Sequence, residues 1–253
     1  MVYFVGAGPG AYDLITVRGM ELLKRADVII YAGSLVNPKL LDYAGEACVI
    51  HNSAYMTFEE VIHVMVEAEK EGKTTVRLHT GDPCLYGAIR EQMEKLSEKG
   101  IQYEVCPGVS SFSGAAAALQ AEYTLPGVSQ SVVITRMAGR TPVPERESIA
   151  SFAAHQATMV IFLSTGMLGQ LSRELMKGGY KKDQSAAIVY KATWPEERIE
   201  RCTVETLEET AQKAGIHKTA LIIVGDILDG LKEYSRLYDP EFTTEYRKGR
   251  KPS

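Results

Sequence analysis

Apolar and polar positions alternate along the chain in two rhythms. Short apolar runs at Val2–Val5, Val28–Tyr31, Thr74–His79 and Gln102–Cys106 have the length and β-branched content of buried strands. Between them, Thr16–Lys24, Thr57–Glu71 and Ala88–Lys99 carry apolar residues at helical spacing. Thr57 stands three residues before Glu60, and Gly72 follows the last periodic residue, so this helix has a capping box at its start and a glycine after its end. Ser110–Leu119 is a small-residue, alanine-rich helix of the kind that packs close to a neighbour. Strand and helix in alternation predict a mostly parallel sheet covered by helices.

The turn signal Leu125-Pro126-Gly127 divides the chain, predicting domains at 1–125 and 126–253. Beyond it the pattern restarts. Strands are expected at Val132–Thr135, Met159–Leu163, Ala186–Tyr190, Ile199–Thr203 and Ala220–Val224. Helices are expected at Met167–Met176 and Val204–Ala214. No internal repeat is visible.

Composition narrows the function classes. The chain has 253 residues, 45% of them hydrophobic, enough for a substantial core. A net charge of −4 gives no global basis for nucleic-acid binding, and no apolar run reaches membrane-spanning length. Met1–Val5 reads as a first strand and not as a signal peptide, so a cytoplasmic protein is expected. Cys48, Cys84, Cys106 and Cys202 are far apart, and the five histidines lack zinc spacing; neither a disulfide framework nor a metal site is predicted.

Candidate chemistry sits in loops that follow strands, where open α/β sheets bind ligands. Gly6-Ala7-Gly8-Pro9-Gly10-Ala11 superficially fits a dinucleotide fingerprint. However, strand two ends Ile29-Ile30-Tyr31-Ala32-Gly33 with no acid for a ribose, and Pro9 lacks an amide to hold phosphate. An NAD-dependent oxidoreductase is therefore a rival reading and not the preferred one. Thr80–Gly87 presents Gly81-Asp82-Pro83, in which Asp82 either serves a ligand or caps the helix that begins near Ala88. Pro107–Ser111 leads into the alanine-rich helix, with Ser110 and Ser111 as helix caps or ligand contacts. Near the middle, Arg136–Pro144 packs two arginines, one glycine and two prolines into nine residues, a rigid loop suited to a polyanion.

Together Val5–Gly10, Gly81–Gly87 and Pro107–Ser111 resemble the signatures of the tetrapyrrole methylases, and Ala26–Tyr31 and Thr219–Gly225 match as well. The resemblance covers nearly the whole chain. It implies two α/β domains of the tetrapyrrole methylase type with the active site in the cleft between them, and S-adenosylmethionine as methyl donor. By the same resemblance Pro9, Thr80, Gly81, Asp82, Leu85, Ser110, Ser111, Leu163, Ala192, Ala220 and Leu221 contact the donor, while Ser34, Leu35, Arg136, Arg140 and Lys191 meet the macrocycle.

The loop Thr135–Glu145, the stretch Val189–Glu197 and Ser235–Asp239 with Phe242 resemble the branch that acts on carbon 11 of precorrin-4 or cobalt-precorrin-4 in cobalamin synthesis. Ala11-Tyr12-Asp13 departs from the family, which usually has an acidic residue directly after Gly10. The resemblance further implies a homodimer. Any base remains open, with Asp82 and Tyr190 as candidates, and Trp194 covers the ring or packs in the core. Rival readings are methylation of another ring position, an rRNA or diphthamide-pathway methylase, and a non-catalytic tetrapyrrole carrier.

Overall fold

The computed structural model describes residues 1–250 apart from Ser34, Lys232, Arg236 and Tyr238. The chain forms two compact units. One comprises Met1–Ala115 with Lys191–Glu197, the other Ala116–Tyr190 with Arg198–Ser253.

The first unit is built on a five-stranded, all-parallel sheet. Its strands are β1 (Val2–Gly6), β2 (Val28–Tyr31), β3 (Val49–Asn52), β4 (Thr75–His79) and β5 (Tyr103–Cys106), in the order β3-β2-β4-β1-β5. The three central strands β2, β4 and β1 are buried on both faces, and β1 and β2 accordingly read as unbroken apolar runs rather than alternating ones. The two-residue period divides each run between two cores. Val5, Ile29, Val76 and Leu78 pack with Leu22 and Leu23 of α1 (Val17–Arg25). Val2, Phe4, Val28 and Ile30 pack with Val61, Ile62 and Met65 of α2 (Phe58–Lys70) and Leu96 of α3 (Ile89–Glu98).

The chain leaves β1 toward one edge of this sheet and leaves β4 toward the other, with β1 and β4 adjacent. That makes the β1/β4 boundary a topological switch point, where loops diverge and leave room for a ligand. The small-residue helix α4 (Ser111–Leu119) follows β5 directly.

The second unit holds β6 (Val132–Arg136), α5 (Ile149–Ala153), β7 (Thr158–Phe162), α6 (Leu168–Lys177), β8 (Ser185–Tyr190), β9 (Arg198–Thr203), α7 (Leu207–Lys213) and β10 (Ala220–Val224). Its sheet runs β6-β7-β10-β8-β9. Here the restarting parallel pattern is corrected. Only β6 and β7 are parallel, and β7/β10, β10/β8 and β8/β9 are all antiparallel. For β8 and β9 the cause is local, because the segment joining them is shorter than the dozen or so residues of a parallel crossover. Ile161, Leu171, Leu175, Ile188 and Ile222 form the centre of this unit's core.

Most expected elements are present with ends shifted by a residue or two. Among the strands and α-helices of the described residues, two were not foreseen. β3 is a four-residue edge strand with Val49 and Ile50 exposed, and α5 is a five-residue helix, both too short for periodicity to register. α7 begins at Leu207 instead of Val204, because the Thr206 hydroxyl accepts a hydrogen bond from the Thr203 amide (3.0 Å) and holds the intervening residues in a turn.

The capping box of α2 is complete. Glu60 N–H donates to the Thr57 hydroxyl (3.2 Å), and Thr57 N–H donates to the Glu60 carboxylate (2.7 Å). Thr57→Ala removes one half of this pair and is expected to cost about 1 kcal/mol, read as a lower urea midpoint with an unchanged slope. A midpoint equal to wild type overturns that assignment.

Candidate active site

The loops after β1, β4 and β5 meet at backbone level. Gly8 N–H donates to the Gly81 carbonyl (3.3 Å) and Gly81 N–H donates to the Gly8 carbonyl (2.8 Å), so a two-bond bridge closes the switch point. Ala7 N–H donates to the His79 carbonyl at 2.7 Å. A Cβ on Gly6 would lie 2.5 Å from Gly108 Cα and 2.6 Å from the Gly81 oxygen, and one on Gly108 would lie 2.7 Å from Gly6 Cα while also striking the Gly81 carbonyl. Glycine at these two positions therefore serves the approach of loop to loop. Gly8 and Gly81 have φ of +81° and +62°, the left-handed region that favours glycine.

Asp82 ties two of the loops together. Its Oδ1 accepts from Cys84 N–H (2.8 Å) and its Oδ2 from Gly108 N–H (3.0 Å). Of the two sequence readings, the helix-cap one is wrong. α3 starts after Ala88, which has φ +49° and no side-chain cap. Partial burial raises the Asp82 pKa, but the hydrogen bonds from Cys84 and Gly108 outweigh it and hold the group below the ordinary carboxylate range. Asp82 makes no ion pair among the described residues, and none of the three loops contains Lys or Arg.

The segment Lys191–Glu197, which joins β8 to β9, folds as part of the first unit. Its Thr193 hydroxyl accepts from Ala11 N–H (2.9 Å). The Trp194 ring lies so close to Gly10 that a Cβ there would strike it, and the Ala192 carbonyl would be 2.9 Å from the same Cβ. Trp194 is thus half-buried packing for the glycine loop, with Lys191 Nζ 5.4 Å from its ring centroid and 3.6 Å from the Glu196 carboxylate. Pro9 is buried, and a Cβ on Gly114 of α4 would sit 2.9 Å from the Pro9 Cβ, so the small residues of α4 let this loop lie flat on the helix.

Beneath the loops, His79 is 5% exposed and its Nε2 has no hydrogen-bond partner among the described residues. Burial, with a smaller contribution from the Arg77 charge, pushes its pKa down to about 3. Arg77 itself donates to Gln92 (3.3 Å) and to the Ile30 carbonyl (3.1 Å).

The second unit carries its own unusual features. Leu163, immediately after β7, has φ +52° and is 64% exposed. Positive φ is uncommon at a bulky residue and places backbone strain directly after β7. Ala220 and Leu221 are buried within β10, and the Ala220 carbonyl accepts from the Thr165 hydroxyl at 3.1 Å. Arg136 turns its guanidinium onto the carbonyls of Met137 (3.1 Å), Thr141 (3.0 Å) and Pro142 (2.9 Å), so it braces the loop that contains it. Arg140, at the loop's tip, is exposed and makes no ion pair among the described residues. Tyr190 lies beside Arg198, whose guanidinium is 5.0 Å from its ring centroid.

A sequence model of the tetrapyrrole (corrin/porphyrin) methylases matches residues 1–208. The chain belongs to this family. It is 53% identical over 251 residues to a cobalt-precorrin-4 C(11)-methyltransferase of Methanocaldococcus jannaschii, covering 99% of this chain and 97% of that one. Among solved structures it is similar to a cobalamin biosynthetic enzyme, cobalt precorrin-4 methyltransferase, at 44% identity and TM-score 0.88, over 90% of this chain and 96% of the other. It is also similar to a uroporphyrin-III C-methyl transferase from Thermus thermophilus complexed with S-adenosyl homocysteine, at 26% identity and TM-score 0.77, over 90% and 98% of the two chains.

Within this tetrapyrrole methylase, Pro9, Thr80, Gly81, Asp82, Leu85, Ser110, Ser111 and Ala192 all belong to the first unit. Leu163, Ala220, Leu221, Arg136 and Arg140 belong to the second, and Lys191 to the first. Leu35 is half-buried just after β2, while Ser34 lies outside the described residues. Asn37 was missed. Its Nδ2 donates to the Gly10 carbonyl (2.8 Å) and its Oδ1 accepts from Lys39 N–H (3.1 Å). Asn before Pro38 is a start signal for a helical turn, which hides the second bond. Thr193 was also missed, and no local signal marks it.

Two outcomes test this geometry. Gly108→Ala must separate loops packed backbone on backbone and is expected to cost about 2–3 kcal/mol or prevent folding; an unchanged denaturation curve contradicts it. For His79 the folded pKa lies below the unfolded value of about 6.5. The unfolded chain therefore binds the proton first, and stability present above about pH 6.5 is lost as pH falls, by up to about 1.4 kcal/mol per unit. His79→Leu should flatten the decline of the urea midpoint between pH 7 and pH 5. A decline as steep as wild type would assign it to other groups.

Proposed function

We propose that this protein is an S-adenosylmethionine-dependent C-methyltransferase that methylates carbon 11 of precorrin-4 or cobalt-precorrin-4 in cobalamin biosynthesis. The observation that carries the reading is near-full-length identity of 53% to a cobalt-precorrin-4 C(11)-methyltransferase. Because the most similar solved structure described above also bears the cobalt substrate's name, cobalt-precorrin-4 is the favoured acceptor. We place the protein in the cytoplasm as a homodimer whose partner molecule is a tetrapyrrole and not a nucleic acid or membrane; no helix among the described residues is long and apolar enough to cross a membrane.

The chemistry of the loops fits a cationic donor. Asp82 is held ionised with no ion-pair partner among the described residues, and the three loops lack Lys and Arg. Such a set favours a sulfonium and repels the phosphates of a dinucleotide, which Pro9 also disfavours by lacking an amide. This weighs against the NAD-dependent reading.

When bound, S-adenosylmethionine supplies a methyl group already activated on positively charged sulfur. The chain's task is then alignment, which in favourable cases lowers a barrier by roughly 7–11 kcal/mol. Pro9, Thr80, Gly81, Asp82, Leu85, Ser110, Ser111 and Ala192 serve as donor contacts from the first unit, and Leu163, Ala220 and Leu221 from the second. Leu35, Arg136, Arg140 and Lys191 meet the macrocycle, whose carboxylates call for local positive charge in an acidic protein; Ser34 keeps the same assignment from its sequence. Three of the five Arg136 N–H donors hold its own loop, and two remain for a carboxylate. Arg140 makes no ion pair among the described residues, which leaves its guanidinium for the macrocycle.

Incubation with labelled donor and either precorrin-4 or its cobalt form tests the reading, with mass spectrometry and NMR locating the methyl group. One methyl at carbon 11 is expected; transfer to another ring position, or none, overturns it. Arg140→Ala is expected to raise the macrocycle KM about tenfold, the scale of one charge-assisted hydrogen bond. Affinity for S-adenosylhomocysteine should stay within about twofold. Calorimetry showing an equal loss of donor-product affinity contradicts that division of labour.

A further inference from the structure

The two polar ends of one peptide group, Gly10–Ala11, are each held by a side chain from elsewhere in the first unit. The Gly10 carbonyl accepts from Asn37 Nδ2 (2.8 Å), and the Ala11 N–H donates to Thr193 Oγ1 (2.9 Å). A peptide is planar, so two bonds at its opposite ends fix the orientation of the plane. Each holding residue is itself bonded. Asn37 Oδ1 is engaged by Lys39 N–H, and Thr193 N–H donates to the Glu197 carboxylate at 2.6 Å. Thr193 has φ +69°, an outlier for a β-branched residue. Its methyl faces α4, where a Cβ on Gly114 would stand 3.1 Å away.

We propose that Asn37 and Thr193 are positioning residues that clamp the Gly10–Ala11 peptide and so set the donor-binding loop. The inference rests on the function proposed above, in which Pro9 and Ala192 contact the donor. Pro9 lies two residues before Ala11 and Ala192 one before Thr193, so the Thr193–Ala11 bond joins two donor contacts of distant sequence origin. Trp194, lying on Gly10, closes the same junction from its side. The clamp acts on the donor contacts, and loss of its hydroxyl shifts donor affinity ahead of macrocycle affinity.

Thr193→Val keeps the branched shape and removes the acceptor, and Thr193→Ser keeps the acceptor and drops the methyl. In the protein without ligands, Thr193→Val should speed hydrogen exchange at the Ala11 amide at least about tenfold, while Thr193→Ser should stay near wild type. Affinity for S-adenosylhomocysteine should fall about 10- to 100-fold in Thr193→Val, with the KM for the macrocycle within about twofold of wild type. Asn37→Ala should weaken the same affinity, and the double variant should fall short of the product of the two single effects because both act on one peptide.

Unchanged exchange at Ala11, a serine variant as impaired as the valine one, or fully multiplicative losses would each overturn the clamp. A wild-type protein that binds no S-adenosylhomocysteine would instead overturn the function on which the inference rests, and the exchange measurement would still decide whether the clamp exists.

Discussion

Gly6, Gly81 and Gly108 bring three loop backbones so close that a single Cβ on Gly6 or Gly108 would collide with a neighbouring chain segment. The rest of the first unit's chemistry depends on that approach. It brings Asp82 within hydrogen-bond reach of Gly108 and permits the paired bonds between Gly8 and Gly81. Backbone packed on backbone has little freedom to relax, since no flexible side chain stands between the segments. A site meant to align two molecules at near-contact distance benefits from such stiffness.

Charge is distributed with the same economy. The glycine-bearing loops contain no basic residue, and their one aspartate is kept ionised by hydrogen bonds alone. Basic side chains belong to other segments: Arg136 at the end of β6, Arg140 after it, and Lys191 after β8. In the proposed function a cationic donor and a polycarboxylate acceptor make opposite electrostatic demands, and charges placed on different loops would meet both without neutralising either. The buried Arg77 and His79 stand outside this arrangement. Both belong to β4 itself, and His79 tolerates burial because it stays neutral.

The loops of the candidate site were legible in the chain as written. The three loop motifs mark themselves by Gly and Pro placed directly after apolar runs, and family membership follows from their order. The roles of individual residues were less legible. Gly6 read as part of a ligand-binding fingerprint, yet its missing side chain makes room for Gly108. Asp82 read equally well as a helix cap, and its partners proved to be Cys84 and Gly108, the latter 26 residues away. Arg136 read as a ligand for anions, and most of its guanidinium is spent on its own loop's carbonyls.

Local order was determined by the sequence itself: where strands and helices lie, the capping box of α2, and the parallel sheet of the first half. Those follow from periodicity and capping, which act over a few residues. Only the tertiary structure decided which distant segments share a hydrogen bond. The antiparallel second sheet, the seven residues 191–197 that fold with the first unit, and the bond from Ala11 to Thr193, 182 positions apart, all belong to that class. A threonine at position 193 looks like any other in sequence because its partner is chosen by the folded backbone and not by its neighbours.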